Sequence, residues 1–151
     1  MEIQMRTNTK IPSIPKFTHE GGLSKAILTP IQELGRTMMA YMLFENAGYE
    51  SGKQTADRIA ALVKKCKFED VANLAIFTRT QLKLRHGPLF LVRELMRNHN
   101  ERKVGDLIYE VIQRPDELAE LLAMYWSEGK CPLSAQLKLG LARAFGKFNE
   151  Y

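Results

Sequence analysis

Apolar residues recur along most of the chain at intervals of three and four, the spacing that lines one face of an α-helix. The first such run opens near Pro30, where a missing amide hydrogen costs a helix nothing. It carries Ile31, Leu34, Met38, Tyr41 and Met42 before Asn46 to Gly48 should stop it. A second run starts at about Lys53 with Ala56, Ile59, Leu62, Val63 and Cys66 on its stripe. A third begins near Phe68, where Glu69 and Asp70 suit the positive end of the helix dipole, and buries Val71, Leu74, Ala75 and Thr78. His86, Gly87 and Pro88 break the pattern. Pro88 then opens a helix with little polar face (Leu89, Phe90, Leu91, Val92, Leu95, Met96), which predicts burial between neighbours.

Asn98 to Asn100 ends that helix, and a fifth follows with Val104, Leu107, Ile108, Val111 and Ile112. Arg114 and Pro115 interrupt. Asp116 and Glu117 open a sixth, with Leu118, Leu121, Leu122 and Tyr125 as its stripe up to Gly129, and a seventh starts near Pro132 or Leu133 and runs to the end. Short turns between helices predict antiparallel pairs, and the pair-to-pair spacing falls within the range of helical-repeat arrays, so an all-α solenoid is favoured over a closed bundle. Residues 1–22, with Pro12, Pro15, Gly21 and Gly22 among polar residues, resist helix and read as an extended lead-in to an α-helical part over 23–151.

A length of 151 residues suffices for one compact domain or a short helical array. The 45% hydrophobic and 26% charged fractions are globular averages, which argues against wholesale disorder. Charge is where the chain departs from average: 22 Lys and Arg against 17 Asp and Glu leave +5, compatible with a nucleic-acid partner. Cys66 and Cys131 stand far apart without metal-ligand spacing, so reduced thiols are expected and no cofactor or metal is implied. With no apolar run long enough to span a bilayer and no signal-peptide pattern, a cytoplasmic protein is the default expectation.

Candidate chemistry is cationic. On the last helix, Leu133, Leu137, Leu141, Ala144 and Phe148 share one arc with Phe145 at its edge, while Gln136, Gly140, Arg143 and Lys147 share another. That second arc predicts a basic stripe on which Gly140 leaves bare backbone for a phosphate or another helix; a solvated charged face is the plainer alternative. Arg79 and Lys83 are four apart at the end of the third helix, with Arg85 and His86 following, although cations there also suit the helix dipole. Arg93 sits beside Glu94 in the most apolar helix, so it either pairs with a carboxylate or faces a groove that holds water or ligand. His19, His86 and His99 have no Cys, Ser or Asp partner at helical spacing, and no enzymatic centre is expected. Of Tyr125 and Trp126, one ring should enter the core; Met38 and Met39 read as core filling.

The segments FTHEGG, YESGKQTADRIAALV, KLRHGPLFLVREL, VIQRPDELAELLAMYW and PLSAQLKLGLARAFGKFNEY, in that order, resemble the N-terminal part of the TROVE domain of the Ro ribonucleoprotein autoantigen family, over about Phe17 to Tyr151. The resemblance implies HEAT-like antiparallel helix pairs forming part of a helical-repeat ring or solenoid. It also implies noncatalytic RNA binding, with structured Y-type RNA on an outer basic surface and single-stranded ends of misfolded noncoding RNA in the ring. Later ring repeats and the family's metal-binding C-terminal domain are expected to lie outside this chain, and no DxSxS motif occurs here, so no metal carries over. Self-association, or pairing with a chain that supplies the rest of the ring, is a corollary. The cations in the matching motifs are Lys83, Arg85, His86, Arg93, Lys138, Arg143 and Lys147. A helical scaffold that binds a protein partner is the alternative, and a hydrolase or nuclease a distant third.

Overall fold

A computed structural model describes residues 27–46, 52–99, 101–127, 129 and 132–149. Regular structure among them is entirely helical, in the order α1 (Pro30–Asn46), α2 (Gly52–Lys65), α3 (Phe68–Thr80), α4 (His86–His99), α5 (Arg102–Val111), α6 (Pro115–Tyr125) and α7 (Ala135–Gly146). The all-α expectation therefore holds, and none of these helices is long and apolar enough to cross a membrane. The lead-in expected over 1–22 lies outside the described residues. Two compact units divide between Leu74 and Ala75, inside α3.

In the first unit, α1 begins as its sequence directs. Thr29 accepts from the Gln32 amide at 3.3 Å while Gln32 Oε1 accepts from the Thr29 amide at 3.1 Å, a capping box around Pro30 that satisfies two otherwise orphaned donors. α1 packs against α2, burying Leu34 and Met38 on one side and Ile59, Leu62 and Val63 on the other. Arg58 ties the pair at the surface through the Glu33 carboxylate and, at 3.4 Å, the Thr37 hydroxyl. The side chains of Tyr41 and Met42, expected on the α1 stripe, lie outside the described residues.

In the second unit, α3 stops earlier than its sequence suggests. The helix ends at Thr80, Lys83 takes a left-handed backbone with φ 58°, and the Leu84 amide donates to the Thr78 carbonyl at 3.0 Å to close the turn. Lys83 and Arg85 therefore lie on a connection rather than on the third helix. His86 is the first residue of α4 rather than part of a break. Pro88 still fits, because the amides of a helix's first turn have no intrahelical acceptor. As its composition predicts, α4 is buried almost all round, from Gly87 through Val92 and again at Glu94, Leu95 and Met96.

The main contacts in this unit skip one helix: α4 packs on α6 and α5 on α7, besides the neighbouring pairs α4 with α5 and, more sparsely, α6 with α7. Both skipped pairs run parallel. Along α5 and α7, Gly105 meets Gly140, Asp106 meets Arg143, and the carbonyls of Tyr109 and Ile112 meet Lys147, so the contacts advance together at separations of 35 to 38 residues. Along α4 and α6, Arg85 and His86 at the start reach Asp116 and Glu120, and Arg97 near the end donates to the Tyr125 carbonyl at 3.2 Å.

The seventh helix is shorter than expected. Ser134 caps it by accepting from the Leu137 amide at 3.0 Å, leaving Pro132 and Leu133 outside, and it ends at Gly146, so Lys147 and Phe148 form a following turn. Leu137, Leu141 and Ala144 of the expected apolar arc are buried, whereas Phe145 is 54% exposed. Gly140 packs against α5: a Cβ there would lie 2.4 Å from the Gly105 Cα. Gly140→Ala should force the two backbones apart and cost about 1–3 kcal/mol in urea denaturation. Gly146→Ala, whose Cβ meets nothing within 4 Å, should leave stability unchanged or slightly raised, and serves as the control.

Candidate functional site

Glu117, at the start of α6, draws in two arginines. Its side chain is 1% exposed, and its Oε2 takes Arg79 Nη2 at 2.7 Å while its Oε1 accepts from the Gln113 amide at 3.0 Å. Arg79 also donates to the Leu84 carbonyl at 3.1 Å, clamping the connection after α3. Arg85 approaches the same carboxylate, its Nε 3.4 Å away without forming a hydrogen bond, and pairs with Asp116 and Glu120 at 3.0 Å each. His86 Nδ1 lies 2.9 Å from Glu120, an acceptor or counter-charge at an N-terminus whose dipole opposes a cation. Arg85 and His86 are therefore committed to the acidic start of α6, and Lys83, two residues earlier, is exposed with no ion-pair partner among the described residues.

Arg93 resolves toward structure. Its guanidinium binds the buried Glu94 carboxylate through Nε at 3.0 Å and through Nη2, and lies 4.3 Å over the Phe90 ring. Arg97 approaches the same Glu94 at 3.8 Å. A charge in so apolar a helix needs a full counter-ion, and Glu94 is one residue away.

The three candidates on α7 and the turn after it divide. Lys147 gives its ammonium to the Tyr109 and Ile112 carbonyls at 2.8 and 2.7 Å, completing the C-terminal end of α5. Burial holds its pKa below the usual lysine value, aided by nearby Arg79 and opposed by Glu110 and Glu117. Arg143 is 58% exposed, pairs with the equally open Asp106 at 2.9 Å and stacks 4.5 Å over Tyr109. Lys138 is exposed, with no ion-pair partner among the described residues. The predicted stripe of Gln136, Gly140, Arg143 and Lys147 thus borders α5 rather than standing free. Where it reaches the edge, Arg102, Asp106, Gln136, Leu139 and Arg143 line a cleft of about 180 Å³.

Sequence reasoning gave no role to Arg102, or to the exposed Lys64, Lys65 and Lys67 around the end of α2. The short run of lysines was a visible cue; Arg102 had none, because its importance comes from lying across from α7. Tyr125 enters the core and donates to the Pro132 carbonyl at 3.2 Å, while Trp126 is 41% exposed beside it. Among the described residues no group of three His, Cys, Asp or Glu could hold a metal ion. Burial, with Asp70 adding to it, pushes the Cys66 thiol up to about 11, so it is protonated at neutral pH. Comparison of the chain with protein-family models, with curated proteins and with solved structures gives no match.

Two measurements check this assignment of charges. Glu117→Gln, which strands Arg79, should lower stability by about 3 kcal/mol, whereas Arg143→Ala, which opens an exposed pair, should cost less than about 1 kcal/mol; denaturant titration separates them. In a Cys131→Ser background, Cys66 should react with a disulfide reagent at pH 7.5 far more slowly than free cysteine, and faster as pH approaches 11.

Proposed function

We propose that the chain is a noncatalytic RNA-binding module of TROVE type, capturing small structured or single-stranded-ended RNA through Lys and Arg contacts to phosphates. The observation that carries this reading is the cleft at the α5 and α7 edge, where Arg102 and Arg143 converge with Gln136 on an open surface. Asp106 is the one acidic group lining it. An exposed ion pair of that kind is worth only about 0–1 kcal/mol, so a phosphate can take Arg143 from Asp106 at little cost. Lys138, on the same helix, adds an uncommitted ammonium.

Parallel packing of α4 on α6 and α5 on α7 is what successive helix pairs produce when stacked as repeats, and it supports a HEAT-like solenoid or ring segment. The excess of basic residues and the free Cys66 thiol suit a cytoplasmic ribonucleoprotein. Arg93 and Lys147 are assigned to the scaffold, because each already satisfies a buried group.

A second reading has its own observation. Leu139 and Phe145 of α7 are 65% and 54% exposed, apolar side chains that a protein partner would cover. Gel-shift titration with a hairpin RNA carrying a single-stranded tail separates the two. RNA capture predicts a saturable shift whose affinity falls steeply between 50 and 200 mM salt, with a log–log slope of about −2 to −3 for a few phosphate contacts. The double variant Arg102→Gln, Arg143→Gln should weaken binding by roughly tenfold. Absence of a saturable shift at moderate salt would favour the scaffold, and salt-independent binding would contradict phosphate contacts.

A further inference from the structure

The cleft where α5 borders α7 holds two features that phosphate contacts alone do not use. One is Asp106, a carboxylate set among cations, 57% exposed and held only through Oδ1 by Arg143 Nη1 at 2.9 Å. Its Oδ2 has no hydrogen-bond partner among the described residues. The other is Leu139, an apolar side chain that stands exposed in the same wall. Gln136 is exposed beside them, and its amide makes no hydrogen bond among the described residues. A surface for backbone phosphate alone gains nothing from a negative charge, which repels the ligand, or from an apolar side chain, which a phosphate leaves wet.

Arg102 and Asp106 are one turn apart on α5, as are Gln136, Leu139 and Arg143 along α7, and the register set where Gly105 meets Gly140 brings both rows to one cleft. Together they offer what an unstacked base requires, a surface to lie on and hydrogen-bonding groups for its Watson–Crick edge. Leu139 supplies the surface, Asp106 two acceptor oxygens and Gln136 an amide; Arg102 and Arg143 remain for flanking phosphates. The volume of about 180 Å³ lies below the roughly 300–1,000 Å³ of drug-sized sites, and suits a base whose sugar and phosphates stay outside.

The carboxylate chooses among the bases. When ionised it accepts hydrogen bonds and donates none. Guanine presents two adjacent donors, N1–H and the 2-amino group, which meet both oxygens of a carboxylate side by side. Adenine and cytosine each bring one amino group, and uracil sets a carbonyl oxygen on either side of its single N–H, so oxygen faces oxygen. A phosphate that draws Arg143 from its exposed pair leaves both Asp106 oxygens open to the base. We propose that this cleft selects a guanine base of single-stranded RNA, with Asp106 as the residue that reads it. The assignment rests on the RNA reading above and adds the base preference that phosphate contacts cannot supply.

The test uses the full chain and uridine-tract oligoribonucleotides of one length, either all uridine or with one central guanosine, inosine, adenosine or cytidine, titrated by fluorescence anisotropy at one salt concentration. One guanosine should tighten binding by roughly fivefold or more over the all-uridine tract. Inosine, which keeps N1–H and lacks the 2-amino group, should lose most of that gain. Asp106→Asn should remove the guanosine advantage and tighten the all-uridine tract, because a negative charge leaves the cleft; the pair it opens is exposed, so the melting temperature should hardly move. Leu139→Ala, which keeps every charge, should shrink the guanosine advantage as well. Equal affinity for all five tracts, a preference for adenosine or cytidine, or an Asp106→Asn variant that tightens every tract by the same factor overturns guanine selection and leaves the RNA reading standing. Failure of every tract to bind saturably overturns both.

Discussion

The backbones of α5 and α7 approach so closely at Gly105 and Gly140 that a methyl group on either would have to displace the other helix. Ordinary side chains keep helix axes about 8–10 Å apart; two facing glycines remove that spacer and let the rest of the contact assemble. Once the pair is seated, Asp106 comes within reach of Arg143, and the last carbonyls of α5 fall under the Lys147 ammonium. The contact thereby fixes a parallel register, and with it the edge cleft holding Arg102 and Arg143.

Glu117 plays the corresponding part for α6. A carboxylate buried to this degree is tolerable only with full compensation, which Arg79 supplies with help from the Gln113 amide. The same ion pair pins the connection after α3, because Arg79 also holds the Leu84 carbonyl. The connection that carries Lys83 is thus held by a buried electrostatic contact.

These contacts reassign the cationic side chains to different tasks. Arg93 and Lys147 serve the scaffold, Arg85 and His86 answer the acidic start of α6, Arg143 holds an exposed pair with Asp106, and Lys83, Lys138 and Arg102 are exposed at the surface.

Helices were legible in the letters because helix formation is local: a 3.6-residue apolar rhythm, Pro30 in the first turn of α1 and Glu69 and Asp70 in the first turn of α3 act within one or two turns. The same rhythm marked α4 as buried and placed Val71, Leu74, Ala75 and Thr78 in the interior. It could not stop α3 at Thr80, since the turn is held by Arg79 and a Glu117 lying 38 residues on. Nor could it tell an exposed lysine from a committed one: the carbonyls that claim Lys147 belong to Tyr109 of α5 and to Ile112 just after it, 38 and 35 residues away. Periodicity determined which faces are apolar, and only packing decided which charges those faces consume, because an ion pair depends on distance in space while a sequence records distance along the chain.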